Sequence, residues 1–140
     1  MSHHCNHLVI HCMDFRLQDQ IVLHLRLKGL FGDCDIVSWP GAIKDFVSPE
    51  KPEYREHMFK PIEIARDKHG VRKLTLLQHM DCGAYGGKGA FKSESEELEK
   101  HASDMREAAA LIRHKFPDME AMMKIIIMDG DRVKEFKEIK

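Results

Sequence analysis

No stretch of this 140-residue sequence is apolar for long enough to span a bilayer. Neither sign of charge dominates. The 22 Lys and Arg stand against 23 Asp and Glu, interspersed, for a formal net charge of -1. That balance lacks the footprint of a nucleic-acid or membrane-surface binder, so neither partner is expected. The opening residues, Met1-Ser2-His3-His4-Cys5, lack the basic and apolar regions of a signal peptide, and a cytoplasmic protein is expected. No repeat, low-complexity tract or linker divides the chain, so residues 1–140 are expected to form one α/β domain. The glycine-rich stretch Gly83 to Gly89 fails as a phosphate loop. Cys82 stands where the first glycine should be, and Gly89 follows Lys88 where Ser or Thr should be. It reads instead as a flexible loop that lets the backbone approach a site. Cysteine is sparse: Cys5, Cys12, Cys34 and Cys82. In a cytoplasmic chain of this size, metal binding or catalysis explains them better than two disulfides.

What is present is a folding composition, with 43% hydrophobic residues. Leu8-Val9-Ile10 reads as a buried strand ending in His11-Cys12. Apolar positions 17, 21 and 25 predict a helix from Leu17 to Leu27, stopping at Gly29. Asp35 to Ser38 is a second strand, broken by Trp39-Pro40-Gly41. Glu53 to His69 has helical periodicity, and Pro61 predicts a division into two pieces, the second starting near that proline. Val71 to Gln78 carries a third strand. Ser93 with Glu96 makes a capping-box pattern before a long helix bearing Leu98, Ala102, Met105, Ala109, Ile112 and Phe116 at helical spacing. Pro117 ends that helix. Lys124 to Met128 is a fourth strand, Asp129-Gly130 a turn, and the tail from Val133 a short helix or an edge strand. Alternating strands and helices predict a mostly parallel sheet of four or five strands, flanked by helices on both faces.

Ligands of open parallel sheets bind beyond the carboxyl ends of the strands. Two such ends carry metal-ligand residues. The first strand runs into Cys12-Met13-Asp14-Phe15-Arg16 and the third into His79-Met80-Asp81-Cys82. If these strands are neighbours, Cys12, His79 and Cys82 converge. A sulfur and nitrogen set of three leaves a fourth zinc position open, as in a catalytic site. Taken singly, the residues have plainer readings. Cys12 fits an inert buried thiol, His79 and Cys82 a helix cap and a core thiol, and Asp14 with Arg16 a strand-end salt bridge.

Taken together, Cys12-x-Asp14-x-Arg16 followed by His79-x-x-Cys82-Gly83 resembles the paired signature of the β-class carbonic anhydrases. Leu74 to Ala84 is similar to that family's apolar strand and zinc loop, and the resemblance spans about His7 to Met128. It implies Zn2+ held by Cys12, His79 and Cys82. It implies an Asp14 that orients the attacking hydroxide, an Arg16 that holds Asp14, and a Gly83 beside the substrate. The implied reaction is reversible hydration of carbon dioxide to bicarbonate. The implied assembly is a homodimer or a higher even-numbered oligomer. In some family members the Asp swings onto the metal, and Asp14 could do so here.

Departures from the family pattern bear on the pocket and leave the ligands intact. Phe15 stands where a small hydroxyl residue is usual, and Ala42 follows Gly41 where Asn is usual. The chain is short for the family and lacks its N-terminal arm. A greasier pocket suits another small linear molecule, carbonyl sulfide or carbon disulfide. A non-catalytic zinc-binding domain is the rival of a different class. At the N-terminus, His3, His4, Cys5 and His7 read as an adventitious metal-binding cluster in preference to a built site. Cys34 and the methionines at 105, 119, 122, 123 and 128 read as packing residues.

Overall fold

Leu8, Val9 and Ile10 are fully buried because their strand has a neighbour at each edge and helices over each face. The structure is a computed structural model that describes residues 3–140. Its strands are β1 (His7–His11), β2 (Cys34–Ser38), β3 (Lys73–His79), β4 (Glu120–Asp129) and β5 (Arg132–Ile139), and they form one sheet in the order β2-β1-β3-β4-β5. The pairs β1–β2, β1–β3 and β3–β4 are parallel, and β4–β5 is antiparallel. The mostly parallel sheet predicted from the sequence is the one observed, with five strands.

The helices are α1 (Gln18–Leu27), α2 (Lys44–Val47), α3 (Pro52–His69) and α4 (Glu94–Lys115). From β1 the chain steps to β2 on one side, then crosses back to β3 and β4 on the other. Right-handed crossovers therefore put α1 on one face and the later helices on the opposite face. The contacts agree. His24 of α1 stacks on Phe136 of β5 with centroids 4.0 Å apart. On the other face Phe46 of α2 meets Phe59 of α3, which meets Phe116 after α4. This reversal of direction at β1 opens a crevice between the carboxyl ends of β1 and β3.

The tail is the edge strand β5, paired from Ile139 at Met123 to Arg132 at Asp129, with a register irregularity at Ile127/Met128. Its alternating charges, from Arg132 to Glu138, discourage pairing with a further strand. Ser93 caps α4 by accepting the Glu96 N–H at 3.1 Å, and the Glu96 carboxylate reaches back to the Lys92 N–H. No helix among the described residues is long and apolar enough to cross a membrane.

Pro61 corrects the reading from sequence. The segment is one helix of 18 residues, with Pro52 in its first turn and Pro61 in its interior. The predicted break fails because Met58, Ile62 and Ala65 are buried on one face across the proline. Packing on both sides holds the helix continuous. The carbonyl that loses its partner belongs to His57, an exposed residue, where water can satisfy it. The helix still carries the cost of a missing hydrogen bond and a ring clash. Pro61→Ala is therefore expected to stabilise the protein by about 1–2 kcal/mol, the helix gain being partly offset by a freer unfolded chain. Urea unfolding checks this, and an unchanged or lower midpoint would contradict it.

Candidate metal centre

Cys12 lies one residue beyond β1, His79 is the last residue of β3, and Cys82 follows three residues later. Because His7 pairs with Lys73 and Ile10 with Leu76, these positions arrive at the same end of adjacent strands. The donor atoms of Cys12, His79 and Cys82 all lie within 4.8 Å of one another, and all three residues are buried.

The His79 ring is set by its own backbone. Nδ1 lies 2.8 Å from the Met80 carbonyl, which accepts a hydrogen bond and so keeps the proton on Nδ1. Among the described residues Nε2, which is buried, finds no hydrogen-bond partner. An orphaned acceptor of this kind is costly unless something outside the chain uses it. Two thiols and an imidazole Nε2 are donors that zinc prefers, and backbone orientation of the ring is how metal-bound histidines are held. The three residues fit zinc. Without a cation the thiols compete for a proton. The hydrogen bond with Cys82, and then the His79 ring, hold Cys12 well below the ordinary thiol range. The same bond pushes Cys82 up. Both become thiolates together only beside a positive charge.

Arg16 ties the two ligand loops to each other. Its Nε donates to both Asp14 carboxylate oxygens at 3.1 and 3.2 Å, and Nη2 donates to Oδ2 at 2.7 Å. The same guanidinium reaches across to the His79–Cys82 loop. There Nη1 donates to Asp81 Oδ2 at 3.0 Å and Nη2 to the Asp81 carbonyl at 2.9 Å. Nη1 also meets Asp131 at 3.3 Å. Only a planar fork with several donors can do this at once. Arg16 holds the Asp14 carboxyl below the usual range. The Lys88 N–H, then Arg16, do the same for Asp81. Gln18 closes the first loop by donating to the carbonyls of Cys12 and Asp14.

The second loop is pinned from behind by residues the sequence reading missed. Glu97, His101 and Asp104 of α4 are buried. Glu97 accepts the Asp81 N–H, Tyr85 donates its hydroxyl to Asp104 at 2.8 Å, and the Tyr85 ring meets His101 edge-on at 4.5 Å. Burial pushes His101 down to about 4, so its ring is neutral near pH 7. The spacing 97, 101, 104 on a predicted helix was the available signal, because it shares a face with the apolar stripe. Asp81 carries φ of 58°, a conformation that these bonds must support.

Other predicted positions fall as follows. The Gly83–Gly89 loop is not loose. It folds as two 3₁₀ turns, with Tyr85 and Gly87 donating to the Cys82 carbonyl. Gly83 is exposed and lines an open cleft with Asp14, Phe15, Arg16 and Gly87. Phe15 is 86% exposed, so it sits on the rim of the cleft and does not fill it. Gly41, at φ 77°, lies so close to the second loop that a Cβ there would be 2.9 Å from the Ala84 Cβ. Of the N-terminal residues, His7 bonds Thr75 at 2.8 Å, and Cys5 lies with Asp35 and His69. Cys34 is half-buried and packs against the core from its edge.

Asp14 and Asp81 have folded values below the ordinary carboxylate value of about 4, so their contribution to stability is complete above that pH. It is lost as the pH falls through the folded values. Arg16→Gln, which leaves both carboxylates without the guanidinium, is expected to cost about 2–4 kcal/mol at pH 7. The cost should be smaller at pH 3. Urea midpoints of the two proteins at both pH values check this, and an equal difference at pH 7 and pH 3 would remove the electrostatic account.

A family model described as "Putative carbonic anhydrase" matches residues 2–135. An uncharacterized protein of Rickettsia bellii is 31% identical over 126 residues, covering 88% of this chain and 77% of its own length. The β-carbonic anhydrase isoform I of Trichomonas vaginalis superposes with a TM-score of 0.61 at 12% identity, over 95% of this chain and 82% of that one. A tetrameric β-carbonic anhydrase of Sordaria macrospora does so with a TM-score of 0.56 at 13% identity, over 96% and 81%. At such identities the superpositions speak for the fold, and the family match speaks for descent. The chain therefore belongs to the carbonic anhydrase family described by that model, and its fold is that of the β-carbonic anhydrases.

Proposed function

We propose that this chain, as one domain, is a zinc-dependent carbonic anhydrase that interconverts carbon dioxide and bicarbonate. The observation that carries the reading is the buried trio Cys12, His79 and Cys82, with His79 Nε2 unpartnered, beside an Asp14 held by Arg16. Zinc held by the trio would supply the acidity that makes water a nucleophile near neutral pH. The chain's own residues do the orienting. Ionised Asp14 can only accept hydrogen bonds. Its role is to accept one from the attacking oxygen, which aims a lone pair at the carbon. Arg16 keeps Asp14 charged and fixed, and this preorganisation is worth more inside a cleft than in water. Gly83 offers substrate a wall without a side chain, since a Cβ there would meet nothing within 4 Å.

Phe15 supports a second reading, hydrolysis of carbonyl sulfide or carbon disulfide, because it adds an apolar rim to the cleft. A cytoplasmic setting accords with thiols this close remaining reduced. Assembly as a homodimer or higher even-numbered oligomer is supported by the apolar residues left exposed near the site. Met13 is 59% exposed and Phe15 86%. Symmetric pairing is the commonest way to cover such a surface.

Two measurements test these proposals. In stopped-flow hydration of carbon dioxide from pH 6 to 9, Asp14→Asn should keep its zinc and lose roughly 100- to 1,000-fold in rate, as with other preorganised polar groups. Wild-type activity should rise with pH. Equal rates would remove the role of Asp14. If the zinc-loaded wild type is no faster than buffer, carbon dioxide is excluded as substrate, and carbonyl sulfide is then tested on the same samples. For assembly, light scattering at micromolar concentration should report an even-numbered oligomer, and a monomer would contradict that expectation.

A further inference from the structure

We propose that Cys5, Asp35 and His69 form a second divalent-metal site, of zinc-like preference, at the end of the sheet opposite the Cys12, His79 and Cys82 group. One donor atom from each of the three lies within 4.8 Å of the others, and all three residues are half-buried. They come from three separate elements. Cys5 precedes β1, Asp35 belongs to β2, and His69 ends α3. Such convergence differs in kind from a run of histidines on a loose terminus, because each backbone is already fixed.

The fixing is visible bond by bond. The Cys5 N–H donates to the His69 carbonyl at 3.2 Å. Asn6 is held to Asp33 by its backbone N–H at 3.1 Å and its side-chain amide at 2.8 Å. Asp35 pairs in register with Leu8 inside the sheet. Gly70, at φ 69°, turns the chain sharply after His69 and supplies the helix C-cap. A site assembled this way loses little entropy on binding, which is the advantage of preorganisation. A second imidazole stands close by. His4 Nδ1 lies 2.9 Å from where a Cβ on Gly70 would sit, at the residue next to His69.

The chemistry of the donors selects the ion. A thiolate, an imidazole and a carboxylate are all zinc ligands, whereas calcium and magnesium take oxygen alone. His69 Nδ1 and Asp35 Oδ2 now share a hydrogen bond of 2.6 Å. A cation entering the site takes the place of that hydrogen, and the His69 ring binds through Nδ1 as the neutral tautomer with its proton on Nε2. The Cys5 thiol gives up its proton to solvent, so one thiolate and one carboxylate balance the dication. The cation also relieves the repulsion between the Asp35 carboxylate and the Cys5 thiolate. Its consequence would be structural. It would join the segment before β1 to β2 and to the end of α3, adding to the Cys5 N–H bond with His69 and the His69–Asp35 pair.

The test is zinc titration of the full chain against a chromophoric chelator, with cobalt as the spectroscopic probe. Wild type should bind two equivalents. Cys12→Ser/Cys82→Ser should keep one, and its cobalt form should show thiolate-to-cobalt charge-transfer absorption. Adding Cys5→Ser should abolish that absorption. In an otherwise wild-type chain, Cys5→Ser and His69→Gln should each weaken the second equivalent by more than the roughly 10- to 100-fold that loss of a supporting outer partner costs. A melting transition in each variant shows that it is folded. If the Cys12→Ser/Cys82→Ser protein does not fold, the same comparison is made on wild type with its first equivalent filled. One equivalent in wild type would overturn the proposal. So would a second equivalent that survives Cys5→Ser and His69→Gln and is lost in His3→Ala/His4→Ala, which would assign it to the terminal histidines.

Discussion

Parallel pairing of β1 with β3 brings together two strand ends that are 67 positions apart in sequence, Cys12 and His79. The chain reverses its direction across the sheet at β1, which leaves a crevice at the carboxyl end of that pair. Two thiols and an imidazole are thereby buried at one point, and the ring of one is turned by its own backbone to leave Nε2 without a protein partner. A shift of register by one residue would turn the strands' side chains to the opposite face and scatter the donors. The buried run Leu74 to Leu77 sets that register through its packing.

Electrostatics joins what the sheet brings near. Arg16 contacts three aspartates from three segments, Asp14, Asp81 and Asp131. These contacts differ in worth. Asp131 is 89% exposed at its side chain, so its pairing with Arg16 is screened and adds little. Asp14 and Asp81 are more enclosed, and for them loss of the guanidinium would leave charge poorly solvated. The second loop then has supports on two sides, Arg16 in front and Glu97 behind. A loop so held can keep Asp81 in a left-handed conformation that isolated peptides avoid.

Several features were legible because their signals are local. The apolar runs of β1 and β3, the cap at Ser93, the stop at Pro117 and the turn at Asp129-Gly130 each depend on neighbours a few residues away. The paired motif was legible because spacing and strand-end position agree. Pro61 misled because the local cost of a helical proline was outweighed by burial on either side of it. Glu97, His101 and Asp104 went unread because charged residues on a helix are ordinarily solvated. Their partners, the Asp81 N–H and Tyr85, lie on a loop that folds over them. At the N-terminus adjacency in sequence does not give adjacency in space: pairing sent His7 to Thr75 and left Cys5 beside residues 30 and 64 positions away.

By itself the sequence determined most of the elements, that they alternate, and which residues at two strand ends carry metal-binding chemistry. Those follow from periodicity, capping and residue type, which act over one or two turns of chain. Tertiary structure alone decided that the two ends adjoin, that one guanidinium spans both loops, and that Cys5 lies with Asp35 and His69. Each of these is a distance between residues far apart in the chain. Such distances are set by sheet order and crossover direction, and no local preference encodes them.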